Sequence, residues 1–270
     1  MTAALAERLC EATGLHLLEA RGESAFRVAK DRYGALSVLP NAVVGPLPVG
    51  ADPGEGDHRG RFDAKGRTIY LADSWECAYA EVLVQFRRER AKIAKVAESI
   101  NWEVNDYISQ VAAEAESNGV DVPWAISVDW QMERSVYEIQ LPRNGWWVQI
   151  DHAETLLALE GLAPKTPGLT DRLHLLTSDA VEGEDRDLTT LLAHVLRGVS
   201  LDDGSRPLGI SYRSKTLKGR CWAYWDRRSD EGLPPGSNDL LQVSSKNVGP
   251  DPEFVRVARF YKLPILGARR

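Results

Sequence analysis

The chain has 270 residues, 43% of them hydrophobic and 27% charged, which excludes wholesale disorder or a fibrous repeat and allows one large domain or two small ones. Its 39 acidic residues outweigh 33 basic ones, and the formal charge of −6 excludes a protein built chiefly to hold a phosphate backbone, while leaving room for a local basic pocket. Cys10, Cys77 and Cys221 are odd in number and scattered, which fits a reducing compartment better than a disulfide framework, so a cytoplasmic location is expected.

Residues 1–22 carry Glu7 and Arg8 where a secretory signal would need an unbroken apolar run, and they read as an amphipathic helical extension. No segment approaches the roughly 18 apolar residues of a membrane span, so no membrane association is expected. Residues 24–29 read as a strand. The Pro- and Gly-rich stretch 44–56 reads as loop, with neither a GxGxxG nor a Walker pattern to make it a nucleotide cradle. Residues 68–72 have the β-branched and aromatic content of a buried strand, and Asp73 with Glu76 supplies a helix-opening pair directly after it.

In that helix Trp75, Ala78, Tyr79, Val82, Leu83 and Phe86 recur at the spacing of a core stripe. Residues 87–131 are charged and helical and read as an insertion, with Gly119 as a stop signal. Strand character returns over 135–141 and 146–150. Asp151 and Glu154 then repeat the helix-opening spacing, and residues 186–196 form another helix. Two strands follow, 208–212 and 221–225, around a turn containing Gly219, and residues 254–260 read as a last strand. Strands and helices interleave without regular βαβ spacing, so the expected fold class is α+β: one domain, 1–270, around a mixed β-sheet with surrounding helices and a helical insertion.

Glu81 falls outside the stripe. At about 100° per residue it lies roughly 130° from the stripe's centre, yet its neighbours one turn away, Cys77, Ala78 and Val84, are uncharged. A carboxylate on a second apolar face has to be paired, solvated through a cleft, or used. Arg61 lies in a loop between Gly60 and Gly66, twenty residues before Glu81, a separation that allows a loop, a strand and one helical turn to bring both side chains to one cleft. A guanidinium fork suits a diphosphate, and a neighbouring glycine lets backbone approach a ligand. Tyr70 ends the strand before the helix, where its ring could stack on a flat ligand. Ser214 closes the strand containing Gly209 at the edge of a turn. Taken singly, each of these is an ordinary surface, core or turn residue.

Together, GRFDAKGRTIYLADSWECAYAEVL and the downstream GISYRSKTLKGRCWAYW resemble the RES domain family, named for an arginine, a glutamate and a serine. The resemblance is strongest over 58–86 and 208–226, with a weaker echo at Phe26-Arg27-Val28. It implies an ADP-ribosyltransferase-like fold and a bacterial toxin that destroys NAD, restrained by a small helix-turn-helix antitoxin. By motif, Arg61, Glu81 and Ser214 become the catalytic set, while Arg61, Tyr70, Ser214, Gly60 and Arg27 become the NAD-binding set. Family members often carry Trp-Asn after the motif arginine, whereas this chain has Phe62-Asp63, which brings an extra negative charge near a diphosphate pocket.

The expected activity is cleavage of the nicotinamide–ribose bond by a glycohydrolase or phosphorylase, with NAD as substrate rather than cofactor. Transfer of ADP-ribose to a macromolecule, or a silent module that binds a nucleotide or antitoxin, remain alternatives. The five histidines show no HExxH or Cys-rich spacing, so no metal is expected. No direct nucleic-acid partner is expected, and self-association stays open.

Overall fold

Over residues 7–19, within the segment expected to open the chain as a helix, the chain forms a β-hairpin instead. In the computed structural model, which describes residues 6–50, 59–162, 176–216 and 219–267, the strands are β1 (Glu7–Leu9), β2 (His16–Glu19), β3 (Ser24–Lys30), β4 (Thr68–Ala72), β5 (Arg134–Gln140), β6 (Trp146–Gln149), β7 (Gly209–Arg213), β8 (Arg220–Trp225) and β9 (Leu241–Asn247). β1 and β2 pair antiparallel, and Gly14 in the turn between them takes a left-handed φ of 74°. β2 then pairs with β6, setting Leu17 opposite Val148 and Leu18 opposite Trp147. Those two leucines are buried in different clusters, on opposite faces of the sheet. A surface helix would bury one stripe, whereas consecutive leucines buried to opposite sides need an extended chain.

Among the described residues, nine strands join one sheet in the order β1-β2-β6-β7-β8-β4-β3-β5-β9, antiparallel throughout except for the parallel pair β6 and β7. Around it lie α1 (Trp75–Ser99), α2 (Val104–Ser117), α3 (Val128–Met132), α4 (Ala153–Leu162), α5 (Ser178–Glu182), α6 (Arg186–Gly198), α7 (Arg227–Asp230) and α8 (Pro252–Phe260). The protein is thus an α+β fold around a mixed sheet. The helical stretch read over 87–131 is occupied by the second half of α1, by α2 and by α3, so its first helix is continuous with the motif helix. α2 ends at Ser117, just before Gly119 with its φ of 65°.

β8 shows why the central strands are apolar throughout. Cys221, Ala223 and Trp225 face a core built with α1, α6 and α8, while Trp222 and Tyr224 face a second core with Ile69, Leu71 and Trp147. A strand covered on both faces has no polar side to show. β9, by contrast, is an edge strand exposed along its whole length, and its sequence LQVSSKN gives no buried alternation to read.

The last strand expected from the sequence, over residues 254–260, is the helix α8. Asp251 caps it, accepting from the Glu253 N–H at 3.1 Å, and Pro252 occupies the first turn, where a missing N–H costs nothing. Phe254, Val257 and Ala258 are its buried residues, an i, i+3, i+4 stripe that a strand of the same sequence would split between two faces. Tyr79 of α1 donates a 2.5 Å hydrogen bond to the Asp251 carboxylate and so ties the two helices together.

Gly209 begins β7 where the backbones run close: a Cβ there would lie 2.0 Å from the Ala223 carbonyl oxygen. No rotamer relieves an overlap with backbone. Gly209→Ala is therefore expected to lower the unfolding free energy by about 3 kcal/mol or more, measured by denaturant unfolding.

Candidate functional site

β4 runs into α1 with two residues between them. Ser74, rather than the expected Asp73, caps the helix, its hydroxyl accepting from the Cys77 N–H at 3.2 Å. Asp73 accepts the Arg220 N–H at 2.7 Å and pins the start of β8 to the end of β4, while Glu76 pairs with Arg256. Small buried residues in the first turns, Cys77, Ala78 and Ala80, let α1 lie close on the sheet. Glu81 follows one turn after Cys77 and is half-buried.

Its carboxylate is held from the far end of β7. Glu81 Oε1 accepts from Ser214 Oγ at 2.6 Å and from Thr216 Oγ1 at 3.0 Å, and Ser214 Oγ accepts the Thr216 N–H at 3.1 Å. The Thr216 carbonyl accepts from the Tyr261 hydroxyl at 2.7 Å, which anchors this loop. Two hydroxyls on one carboxylate oxygen set the direction of the group. The glutamate and serine of the motif are thus brought together. Thr216 joins them although its sequence context, a turn residue two places after Ser214, offered no distinct signal.

Glu81 also lines a cavity of about 320 Å³ whose wall carries Arg27, Tyr70, Tyr212 and Cys221. Ser214 and Thr216 line a separate, open depression on their outer side. Arg27 donates to the Ala35 carbonyl at 2.8 Å, and removal from water lowers its guanidinium to about 10. Arg61, only 9% exposed, lies over the rings of Tyr212 and Phe62, at 4.9 and 5.3 Å from their centroids, and donates to the Glu182 carbonyl at 3.1 Å. Among the described residues it makes no ion pair, so two aromatic faces and a carbonyl support its charge.

Tyr212 links the arginine to the glutamate. Burial pushes its phenol far up, the nearby Cys221 and Glu81 add to that, and Arg61 pulls the other way. Both motif charges therefore act on one buried hydroxyl. The motif Gly-Ile-x-Tyr-x-Ser contains this tyrosine, but only the packing reveals its position between them.

Tyr70, expected as a surface for a flat ligand, is a hydrogen-bonding centre of the Arg61 loop. Its hydroxyl donates to Asp63 Oδ1 at 2.9 Å and accepts the Phe62 N–H at 2.9 Å, while Asp63 Oδ2 accepts the Gly60 N–H at 2.8 Å. Gly60 is required here because a Cβ would sit 2.4 Å from the Tyr70 hydroxyl oxygen. The extra negative charge of Asp63 is turned into the loop that carries Arg61. Its burial raises the carboxyl's pKa, with the bonds from Gly60 and Tyr70 opposing that rise. Phe62 is fully buried against Tyr212, their ring centroids 4.8 Å apart.

His58 and His174 lie outside the described residues. A larger depression of about 640 Å³, lined by Lys65, Arg67, Arg197, Arg206 and Arg227, lies apart from these groups. Asp230 pairs there with both Arg67 and Arg197, which commits part of its charge within the fold.

No protein-family pattern matches the chain, and no curated protein matches it in sequence. A solved structure that does match, the MbcT-MbcA toxin-antitoxin complex of M. tuberculosis, is 12% identical over 90% of this chain and 90% of that one, with a TM-score of 0.43. At that score and identity the likeness carries no weight for what this chain does. The resemblance to the RES domain therefore rests on the residues of this chain.

Tyr70→Phe would leave the buried Asp63 carboxylate and the Phe62 N–H each short of a partner. The expected cost is about 1–3 kcal/mol of stability, read by denaturant unfolding.

Proposed function

We propose that the protein cleaves the nicotinamide–ribose bond of NAD and acts as the toxin of a toxin-antitoxin pair, with an ADP-ribosyltransferase-like active site. The observation that carries this reading is Glu81, held by the hydroxyls of Ser214 and Thr216, on a cavity it shares with Arg27, Tyr70 and Tyr212, with Arg61 packed over the Tyr212 ring.

The chemistry asks for those groups. Breaking the bond passes through an oxocarbenium-like state, and a carboxylate fixed beside the ribose stabilises the developing positive charge while accepting from a sugar hydroxyl. Glu81 takes that role, and its two hydroxyl donors keep it aimed at the sugar, so little reorganisation is needed as charge develops. Nicotinamide is already cationic in NAD and leaves neutral, so no acid need protonate it and no histidine is required at the site. Water or inorganic phosphate then attacks the anomeric carbon and loses a proton to solvent, giving ADP-ribose or its phosphate ester.

A cavity near 320 Å³ is at the small end for ligand sites and suits the nicotinamide riboside half of the molecule. Arg27 and Arg61 supply the positive charge for the diphosphate, and Tyr212 and Tyr70 supply aromatic wall for the nicotinamide. Among the described residues no helix is long and apolar enough to cross a membrane.

The test is NAD loss by the purified protein, with and without inorganic phosphate. Phosphate-stimulated loss identifies a phosphorylase and phosphate-independent loss a glycohydrolase. Label from NAD that stays on a macromolecule identifies a transferase, and no consumption under any condition refutes the reading. Glu81→Gln is expected to lower kcat by about a hundredfold or more, since the amide cannot supply the charge. Arg61→Ala is expected to act mainly on KM, with kcat largely kept. Replacing both hydroxyls, as in Ser214→Ala with Thr216→Val, should lower kcat by about tenfold or more with little change in KM, because the carboxylate loses its orientation but not its charge.

A further inference from the structure

Cys77 of α1 and Cys221 of β8 are 144 residues apart in the chain, fully or almost fully buried, and free, with their sulfurs 3.7 Å apart. A carboxylate oxygen of Glu81 lies within 4.8 Å of both. We propose that Cys77, Cys221 and Glu81 form a binding site for a thiophilic divalent cation of the zinc class, with the fourth position open to the cavity that Glu81 and Cys221 line.

The sulfur spacing supports this. A tetrahedral ion holding each sulfur at about 2.3 Å sets the two about 3.8 Å apart, so these thiols already have the separation the ion requires. A disulfide would hold them at about 2.05 Å, so the two thiols are unbonded and available as ligands. Two sulfurs and one oxygen select a soft or borderline ion over magnesium or calcium, which take sets of oxygen ligands.

The surroundings are those of a supported site. Ser214 and Thr216 fix the Glu81 carboxylate as outer-shell partners. Gly219 packs against Cys77 so tightly that a Cβ on it would lie 3.1 Å from the sulfur. Glu81 and Cys221 both reach the cavity, which gives the ion a route in. On binding, each thiol loses its proton to solvent and the sulfurs bond the ion as thiolates, with no change of oxidation state. Spacing along the sequence gives no hint of this set, because one ligand comes from a strand far downstream of the other two.

An ion at this position takes the carboxylate that NAD cleavage would use. The inhibition this implies rests on the function proposed above, whereas the site itself does not.

The experiment is titration of the freshly reduced full chain with Co2+. The expected result is the sulfur-to-cobalt charge-transfer band in the ultraviolet and the intense visible bands of a tetrahedral site, saturating at one ion per chain and removed by Zn2+. Cys77→Ser and Cys221→Ser should each abolish these bands and Cys10→Ser should keep them, with circular dichroism checking the fold. Cys77→Ala and Cys221→Ala stand in should either serine variant fail to fold. Absence of the bands in the wild-type chain, or their survival in folded Cys77 and Cys221 variants, would overturn the site. In a parallel assay, stoichiometric Zn2+ should reduce NAD consumption by about tenfold or more. Cobalt bands with undiminished NAD consumption would overturn the inhibition, and cobalt bands in a chain that consumes no NAD would keep the site and refute the function.

Discussion

The hydrogen bond from Ser214 to Glu81 joins two segments 133 residues apart, and the surrounding structure places its two ends. β4 and β8 are neighbours in the sheet, so the helix that follows β4 and the loop that precedes β8 meet at the same end of the pair. Asp73 and Ser74 fix that end, one by binding the backbone of β8 and the other by capping α1. Glu81 is then carried two turns up the helix to the hydroxyls at the end of β7. Those hydroxyls fix the direction of a carboxylate whose other neighbours, Ala78, Tyr212 and Cys221, are largely apolar.

The arginine is placed by a different kind of force. Arg61 has no carboxylate among the described residues, and its charge rests on two aromatic faces and one carbonyl. The loop beneath it is closed by its own polar groups, Asp63, Tyr70 and the Gly60 and Phe62 amides, so the charge of Asp63 points inward. The result is a guanidinium kept largely out of water and, among the described residues, without an ion pair, a state in which an anionic ligand gains most from binding. Cys221 lies on the wall of the cavity that Glu81 lines, with Cys77 behind it.

The two elements misread from sequence differ from those read well in how their residues are buried. In β4 and β8 both faces are covered, and a run of β-branched and aromatic residues signals a strand wherever the partners lie. In residues 6–20 the apolar pattern fits a helix equally well, and only pairing of β2 with β6 selects the extended form. At 254–260 the alternation of valines with arginine and alanine suggests a strand, but the cap at Asp251 and its bond from Tyr79 start a helix. β9 is not legible in the sequence, because an exposed edge strand leaves no mark in hydrophobicity.

Sequence by itself determined the mixed α+β character, the strand that runs into the motif helix, and the identity of Arg61, Tyr70, Glu81 and Ser214 as residues worth bringing together. The first two are written locally, in periodicity and turn residues, whereas the set of four comes from the motif resemblance. Tertiary structure alone decided that Thr216 shares the carboxylate with Ser214, that Tyr212 lies between the two motif charges, and that Asp63 faces into its own loop. It also decided that two cysteines 144 residues apart are neighbours. These depend on distances across a sheet whose strand order is not the order of the chain, and a linear pattern does not encode those distances.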